Sequence, residues 1–170
     1  MPELSLIKTL LATLPQVGRV TWIGIRPSRG APMVELNQAA IKPGTGLEGD
    51  RFQGRAESRR QVTLIQHEHL PVIAACLHLE RVEPALLRRN IVVSGINLLA
   101  LKDKRFRVGD VLLEYTGLCH PCSKMEQLLG PGGYNALRGH GGITARVIEA
   151  GEVKRGDDVD VGEIQTRGSN

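Results

Sequence analysis

Short runs of β-branched residues, separated by glycine and proline, are the feature that most limits how this chain folds. The runs have the length of strands and recur from residue 19 to residue 161, without a regular alternation of strand and helix. Many short strands of this kind are typical of a β-barrel. We therefore predict a mainly β barrel with a few short helices. The predicted strands are 19–26, 33–36, 62–66, 91–93, 105–108, 111–116, 143–149 and 158–161.

The chain has 170 residues, which suits one folded domain rather than two. Apolar residues recur at helical spacing between Leu4 and Leu14, and Pro15 follows them, so we predict a short amphipathic helix there. The predicted organisation is an N-terminal helical appendage over 1–18, one domain over 19–161 and a flexible tail over 162–170. Further helices are predicted over 68–79, 83–89, 124–129 and 134–138.

The composition narrows the partners that this protein can bind. Aromatic residues make up 3% of the chain, which argues against a surface that stacks bases, so we expect no specific nucleic-acid partner. A net charge of +4 favours an anionic ligand such as a phosphate. No apolar run reaches membrane-spanning length, so no membrane association is expected. Three cysteines cannot all pair and the first residues lack a secretory pattern, which predicts a cytoplasmic protein with free thiols.

Two of the three cysteines lie in the segment Cys119-His120-Pro121-Cys122, directly before Ser-Lys-Met-Glu at 123–126. That second pattern predicts a capping box, in which Ser123 caps a helix and Glu126 reaches back to it. Cys122 would then lie at the positive end of a helix, which favours a thiolate and makes this sulfur a candidate metal ligand or nucleophile. Cys76 lies in an apolar stretch and is predicted to be a buried small hydrophobic residue.

Arginine is concentrated in two places. The glycine-supported segment 46–51 is followed by Arg59 and Arg60, and its backbone N–H groups and guanidinium forks are suited to hold a phosphate. The alternative is a solvated turn before a strand. Arg89 and Asn90 stand just before a run of isoleucine and valine, at the mouth of a predicted strand. Charged residues at a strand end are more often surface caps.

The histidines and the glycine-rich segment 138–142 carry weaker signals. His67, His69 and His78 lack the spacing of a zinc protease and are predicted to be surface or packing residues. The segment 138–142 offers flexible backbone and two possible anion donors, although such segments are more often plain connections. A structural zinc ion beside the paired cysteines would need a second ligand pair, which the sequence does not offer at a suitable spacing.

Five segments occur in a characteristic order: Gly49-Asp50-Arg51, Arg89-Asn90-Ile91, Val108-Gly109-Asp110-Val111, Cys119 with Cys122, and Val153 with Gly156-Asp157. This order resembles the MOSC domain, which is the C-terminal domain of molybdenum-cofactor sulfurases and their standalone relatives. The resemblance covers residues 19–161 and implies a MOSC-type β-barrel with a cysteine that ligates molybdenum or carries sulfur.

In the amidoxime-reducing relatives the metal ligand is the second cysteine of a similar segment, which maps onto Cys122. The resemblance thus implies that Cys122 is the catalytic residue and the molybdenum ligand, beside residues that hold the phosphate or pterin of the molybdenum cofactor. Those relatives usually have Arg-Pro-Asn where this chain has Arg88-Arg89-Asn90. The residues predicted to bind the cofactor, from resemblance and charge placement together, are Arg51, Arg59, Arg60, Arg89, Asn90 and Lys124.

The resemblance implies two functions. The first is a molybdenum-dependent reductase of small N-hydroxylated compounds, with an external electron-transfer protein as the electron source. The second is a non-catalytic module that hands on the cofactor, or sulfur as a Cys122 persulfide. A third interpretation is a stable barrel in which Cys119 and Cys122 are only packed thiols. Pyridoxal phosphate is not expected, because the chain has no room for the aminotransferase-like domain of the sulfurases.

Overall fold

The strands of the computed structural model, which describes residues 2–162, are short and numerous. The fold is therefore mainly β, as predicted. In chain order the strands are β1 (Gly18–Ile25), β2 (Val34–Leu36), β3 (Gln38–Lys42), β4 (Gly46–Leu47), β5 (Val62–Gln66), β6 (Ile91–Ser94), β7 (Arg105–Val108), β8 (Val111–Leu118), β9 (Ile143–Glu149), β10 (Gly151–Lys154) and β11 (Asp158–Asp160).

Seven strands close into a barrel in the order β1, β6, β5, β9, β8, β7 and β11, and β11 pairs back to β1. β2 adds to β1 outside this ring, and β10, β3 and β4 form a separate small sheet. β5 and β6 are parallel, whereas the other neighbours in the ring are antiparallel. The parallel pair requires a long crossover from residue 66 to residue 91, and this crossover lies outside the barrel.

Aliphatic side chains fill the barrel because alternate residues of each strand point inward. Ile23, Leu64, Phe106 and Leu113 are fully buried there. Each such side chain contributes about 1.5–3 kcal/mol through its removal from water. Phe106 is one of only two phenylalanines in the chain, so the interior is aliphatic, as the low aromatic content indicates.

The helices pack on the outside of the barrel, except for the N-terminal one, whose apolar side chains from Leu6 to Leu11 are exposed. A second apolar cluster lies between the helices and the barrel wall, and Trp22, Ile73, Met125 and Leu137 belong to it. The helices are α1 (Pro2–Ala12), α2 (His69–Cys76), α3 (Ser123–Leu129) and α4 (Gly133–Leu137), with 3₁₀ turns at Pro84–Leu87 and Leu98–Leu101.

All eight predicted strands are present, with ends shifted by at most two residues, and each predicted helix overlaps an observed helix or 3₁₀ turn. The strands that sequence patterns missed, β3, β4 and β10, are short and pair with one another in the small sheet. Within residues 2–162, no helix is both long enough and apolar enough to cross a membrane. Of the predicted tail, residues 163–170 lie outside the described residues.

Two local predictions are wrong. Ser123 does not cap α3, because the N-cap is Cys122 and the carboxylate of Glu126 accepts from the backbone N–H groups of Gly132 (2.7 Å) and Tyr134 (2.9 Å). Glu126 therefore stabilises the turn between α3 and α4 and does not form a capping box. Cys76 is exposed, because it is the last residue of α2 and the residues that this helix buries are Leu70, Ile73 and Ala74.

Candidate functional site

Cys122 lies at the start of α3 and is exposed to solvent. Its backbone is extended (φ −126°, ψ 172°), and its carbonyl accepts from the N–H group of Met125 at 2.9 Å. Met125 is fully buried in the outer apolar cluster, so the first turn of α3 is anchored against the barrel. The thiol of Cys122 therefore projects from a fixed point of the surface, next to the partial positive charge of the first helical turn.

Arg88 has a backbone conformation that is uncommon for a residue with a side chain. Its φ of 58° lies in the left-handed region, where it ends the 3₁₀ turn Pro84–Leu87. A residue other than glycine pays about 1–2 kcal/mol in this region. The guanidinium group donates from Nη1 to the carbonyl of Ala31 at 3.3 Å. This sharp turn sends Arg88 outward, whereas the next residue, Arg89, is buried.

Electrostatic interactions show which charges lie around Arg88. Partial burial is the largest cause that lowers its pKa, and the positive charges of Arg26 and Arg51 lower the pKa further. Cys122 and Asp50 act in the opposite direction and raise it. The loop after β4, the residue that follows β1 and the start of α3 therefore lie near Arg88, although they are far apart in the sequence.

Arg89 is 2% exposed and ties three segments of backbone together. Its Nε donates to the carbonyl of Gly141 at 2.8 Å, and its Nη1 donates to that of Leu87 at 2.9 Å. Nη2 lies 3.4 Å from the carbonyl of Cys119 and 3.5 Å from that of His120. The guanidinium group therefore fixes the segment that leads to Cys122.

The charge of Arg89 is not neutralised by a carboxylate within residues 2–162; its partners there are carbonyl oxygens. Burial is the largest cause that lowers its pKa, and Arg60 and Arg26 lower it further, whereas Cys119 and Cys122 raise it. A buried cation without a counter-ion is costly. The uncompensated positive charge of Arg89 therefore favours an anion or a thiolate nearby.

The other predicted arginines have different positions. Arg60 donates from Nη2 to the sulfur of the buried Cys119 at 3.5 Å. Arg59 instead donates to the carbonyl of Thr116 on β8 at 2.6 Å, and the Thr116 hydroxyl donates back to the Arg59 carbonyl. Lys124 lies in the first turn of α3, and its side chain has no hydrogen bond or ion pair in the described part of the chain. Arg60 thus reaches the cysteine segment, whereas Arg59 is held by a strand.

Asn90 is 1% exposed, and its amide is engaged within the barrel wall. Its Oδ1 accepts from both the backbone N–H and the hydroxyl of Thr63 at 3.1 Å. Its Nδ2 donates to the carbonyl of Gly24 at 3.1 Å. The contacts of Asn90 therefore pin β6 to β5 and β1, and they fix the strand end from which Arg88 and Arg89 project. Direct contact between Asn90 and a cofactor stays a prediction.

Asp50 and Arg26, which sequence reasoning did not select as site residues, form an ion pair in which the Asp50 side chain is 1% exposed. Asp50 accepts from the Arg26 backbone N–H at 2.7 Å and from its Nη2 at 3.3 Å, and it also accepts from the Phe52 N–H at 3.3 Å. The Arg51 N–H donates to the Arg26 carbonyl at 2.7 Å. These bonds dock the loop after β4 onto the end of β1 and so fix the backbone of Arg51.

Asp50→Asn is expected to lower the free energy of unfolding by about 2–3 kcal/mol, because a buried amide cannot replace a carboxylate that accepts from a guanidinium group and two N–H groups. Urea unfolding measures this change. The control is Asp158→Asn, which removes an exposed pair with Arg19 at 3.9 Å and should cost less than about 0.5 kcal/mol. Equal losses in the two variants would show that Asp50 does not hold the loop.

We define the arginine cluster as Arg88 and Arg89 together with the arginines whose positive charges act on either of them. Among the described residues, one carboxylate, that of Asp50, forms an ion pair with a member of this cluster. The positive charge of the cluster is therefore in large excess. Cys122 is exposed beside it. A group of three or more histidine, cysteine, aspartate or glutamate residues placed to hold a metal ion is not found within residues 2–162. The cluster consists of Arg26, Arg51, Arg60, Arg88 and Arg89.

A family model identifies the family of this chain, and the solved structures below share its fold. A family model described as "MOSC domain" matches residues 47–160. Among solved structures, the chain is similar to the YUAD protein of Bacillus subtilis (20% identity, TM-score 0.72), covering 86% of this chain and 97% of that one. The chain is also similar to YiiM from Geobacillus stearothermophilus (15% identity, TM-score 0.67), and the match covers 85% of this chain and 74% of that one. For YiiM from Escherichia coli the identity is 18% and the TM-score 0.65, and the match covers 84% of this chain and 69% of that one. No curated protein matches the sequence.

Proposed function

This chain belongs to the MOSC domain family, which is associated with molybdenum-cofactor binding, and from that premise we propose that it binds the molybdenum cofactor to reduce small N-hydroxylated compounds. The observation that carries the proposal is the arginine cluster beside the exposed thiol of Cys122. In this proposal the cluster receives the anionic part of the cofactor and Cys122 ligates its metal.

The chemistry of the donor set fits this cofactor. Guanidinium groups form paired hydrogen bonds with phosphate oxygens, and the cluster offers several of them against one carboxylate, which is turned toward Arg26. The same positive charge repels a bare metal cation. A metal that arrives within an anionic cofactor avoids that repulsion, and a cysteine thiolate is a soft ligand suited to it.

The exposure of each arginine in the cluster determines its role in this proposal. Arg51 and Arg60 are exposed and Arg88 is partly exposed, so their donors are available to a phosphate. Arg89 is buried and its N–H groups donate to backbone carbonyls, so it acts by positioning the segment that ends at Cys122. Its positive charge also stabilises a thiolate in this region.

The overall reaction takes two electrons and two protons and converts an N-hydroxylated amine into the amine and water. The bound cofactor supplies the oxygen-atom chemistry, and an external electron-transfer protein supplies the electrons. The chain supplies ligation by Cys122, orientation by the arginine cluster and a rigid support through Asn90 and α3. Because Cys122 is at the surface, water can deliver the protons.

A second candidate is a carrier without turnover, which hands on the cofactor or sulfur as a Cys122 persulfide. The exposure of Cys122 favours it, because a sulfur at the surface is accessible to the thiol of another protein. Cys119 is buried and does not share that access. The two candidates use the same residue and differ in whether the protein reduces a substrate.

The experiment is to produce the protein in a host that makes the cofactor, and to measure molybdenum per chain and reduction of an N-hydroxylated base with a chemical electron donor. Arg51→Gln and Arg88→Asn should each lower the molybdenum content about tenfold, because a charge-assisted hydrogen bond to phosphate is lost. Asparagine tolerates the left-handed backbone of residue 88, so this variant should remain folded.

The control is Arg81→Gln, which removes an 81%-exposed arginine outside the cluster and should leave the molybdenum content unchanged. Metal without turnover would favour the carrier. A wild-type protein without molybdenum, or cluster variants that retain it fully, would contradict the proposal.

A further inference from the structure

A cavity of about 160 Å³ lies against the segment Cys119–Pro121. Its walls come from the end of β5, the start of α2, the 3₁₀ turn Leu98–Leu101 and the glycine-rich segment 139–143. Leu98 and Ile143 are buried there, whereas Leu99 and Leu118 are half exposed at 49% and 47%. The cavity is therefore apolar inside and open to solvent, and its exposed lining residues are Leu99, Leu118, His120 and Gly139.

The lining sets the charge and the size of a ligand. The described residues that line the cavity include no arginine, lysine, aspartate or glutamate, in contrast to the arginine cluster. A charged ligand would lose its hydration there without a counter-ion. An engineered apolar cavity of about 150 Å³ holds one benzene molecule, so the volume here suits a single six-membered ring.

One edge of the cavity is polar. Gln66 accepts from the Leu98 N–H through Oε1 at 3.1 Å, so its amide N–H groups remain as donors for another partner. His69 also lines the cavity, and its ring meets that of His140 edge to face with centroids 5.2 Å apart. Burial is the largest cause that lowers the pKa of His69, and His140 lowers it further, whereas Glu68 raises it; the net lowering favours the neutral ring. A neutral imidazole both donates and accepts.

We propose that this cavity is a binding site for a small uncharged aromatic ring that carries one hydrogen-bonding group, with the ring between Leu99 and Leu118 and the polar group toward Gln66 and His69. The site differs from the arginine cluster in the chemistry of its ligand. It is a property of the chain itself and does not depend on the proposed cofactor. Its contact with Cys119–Pro121 places the ring on the segment that leads to Cys122.

The test is a titration of the full-length, isotope-labelled protein with benzamide, monitored by the amide signals of Gly139, Gly141 and Gly142. We expect saturable shifts with a Kd in about the millimolar range, which is the affinity of a ligand with few heavy atoms. Benzoate and benzamidine have the same ring with a negative or a positive charge. They should shift these amides with at least about tenfold weaker binding.

Leu118→Trp and Leu99→Trp fill the mouth of the cavity and should each weaken benzamide binding more than about tenfold. Both positions are half exposed, so the larger side chain has room outside the core. Leu79→Trp is the control, since Leu79 is equally exposed (47%) and does not line the cavity. Absence of benzamide binding, unchanged binding in both mouth variants, or equal shifts by benzoate would each overturn the proposal.

Discussion

Gly142→Ala is expected to abolish stable folding, with a loss of more than about 4 kcal/mol in the free energy of unfolding. A Cβ atom at this position would lie 1.9 Å from the carbonyl oxygen of Leu64. That oxygen belongs to β5, where Leu64 pairs with Ile143 of β9, so it cannot move without opening the barrel. The φ of 88° at Gly142 adds conformational strain for any residue with a side chain.

Gly139→Ala is the matched control. Gly139 has nearly the same φ (83°), but a Cβ atom there meets no atom within 4 Å. The variant should lose only about 1–2 kcal/mol through backbone strain. Urea unfolding of the two proteins separates the steric clash from the strain. Similar losses at both positions would mean that the close approach of Gly142 to β5 does not constrain the fold.

Arg89→Met is expected to cost about 3–5 kcal/mol of stability and to release the cysteine segment. Methionine fills a comparable space but leaves the carbonyl groups of Gly141 and Leu87 without their donor in the interior. The backbone of Cys119 and His120 also loses its attachment to the barrel. Chemical denaturation gives the stability change, and the rate of Cys122 alkylation reports the mobility of the segment.

Arg89→Lys distinguishes geometry from charge. Lysine keeps the positive charge, but its single ammonium group cannot reach carbonyls on three separate segments as the guanidinium fork does. We therefore expect Arg89→Lys to recover less than half of the stability lost in Arg89→Met. Full recovery with lysine would show that Arg89 acts through its charge alone.

The barrel was predictable because each strand carries its own pattern of β-branched residues and turn signals. The β7–β8 hairpin is an example: Val108 pairs with Val111 across Gly109, whose φ of 57° the turn requires. The position of Cys122 at a helix start was also predicted, although the assignment of the cap to Ser123 was wrong by one residue. The resemblance to the MOSC domain is confirmed.

The rest of the site depends on contacts that sequence patterns do not contain. Arg26 directly follows β1, which is an ordinary strand, and only the folded barrel brings its charge near Arg88. The left-handed turn at Arg88 has no glycine or asparagine to mark it. Consecutive charged residues at a strand mouth are usually exposed, so the burial of Arg89 was not predictable from the sequence. Tertiary contacts decided each of these three features.

The three cysteines allow a direct test of the central claim, which is that Cys122 ligates the metal of the molybdenum cofactor. Cys76 is exposed like Cys122 but lies on α2, so Cys76→Ser is a matched control for loss of a surface thiol. Cys119 lies in the same segment as Cys122, and Cys119→Ser replaces its buried sulfur, which accepts from Arg60. All three variants would be produced in the cofactor-competent host.

The decisive measurement is the molybdenum content per chain of Cys122→Ser, Cys119→Ser and Cys76→Ser beside the wild-type protein. The account predicts that Cys122→Ser loses at least about nine-tenths of the metal, because a soft ligand is replaced by a neutral hydroxyl, while Cys76→Ser retains all of it. Retention of molybdenum by Cys122→Ser together with its loss in Cys119→Ser would contradict the assignment. Unchanged metal content in all three variants would also contradict the assignment, because none of the three thiols would then ligate the metal.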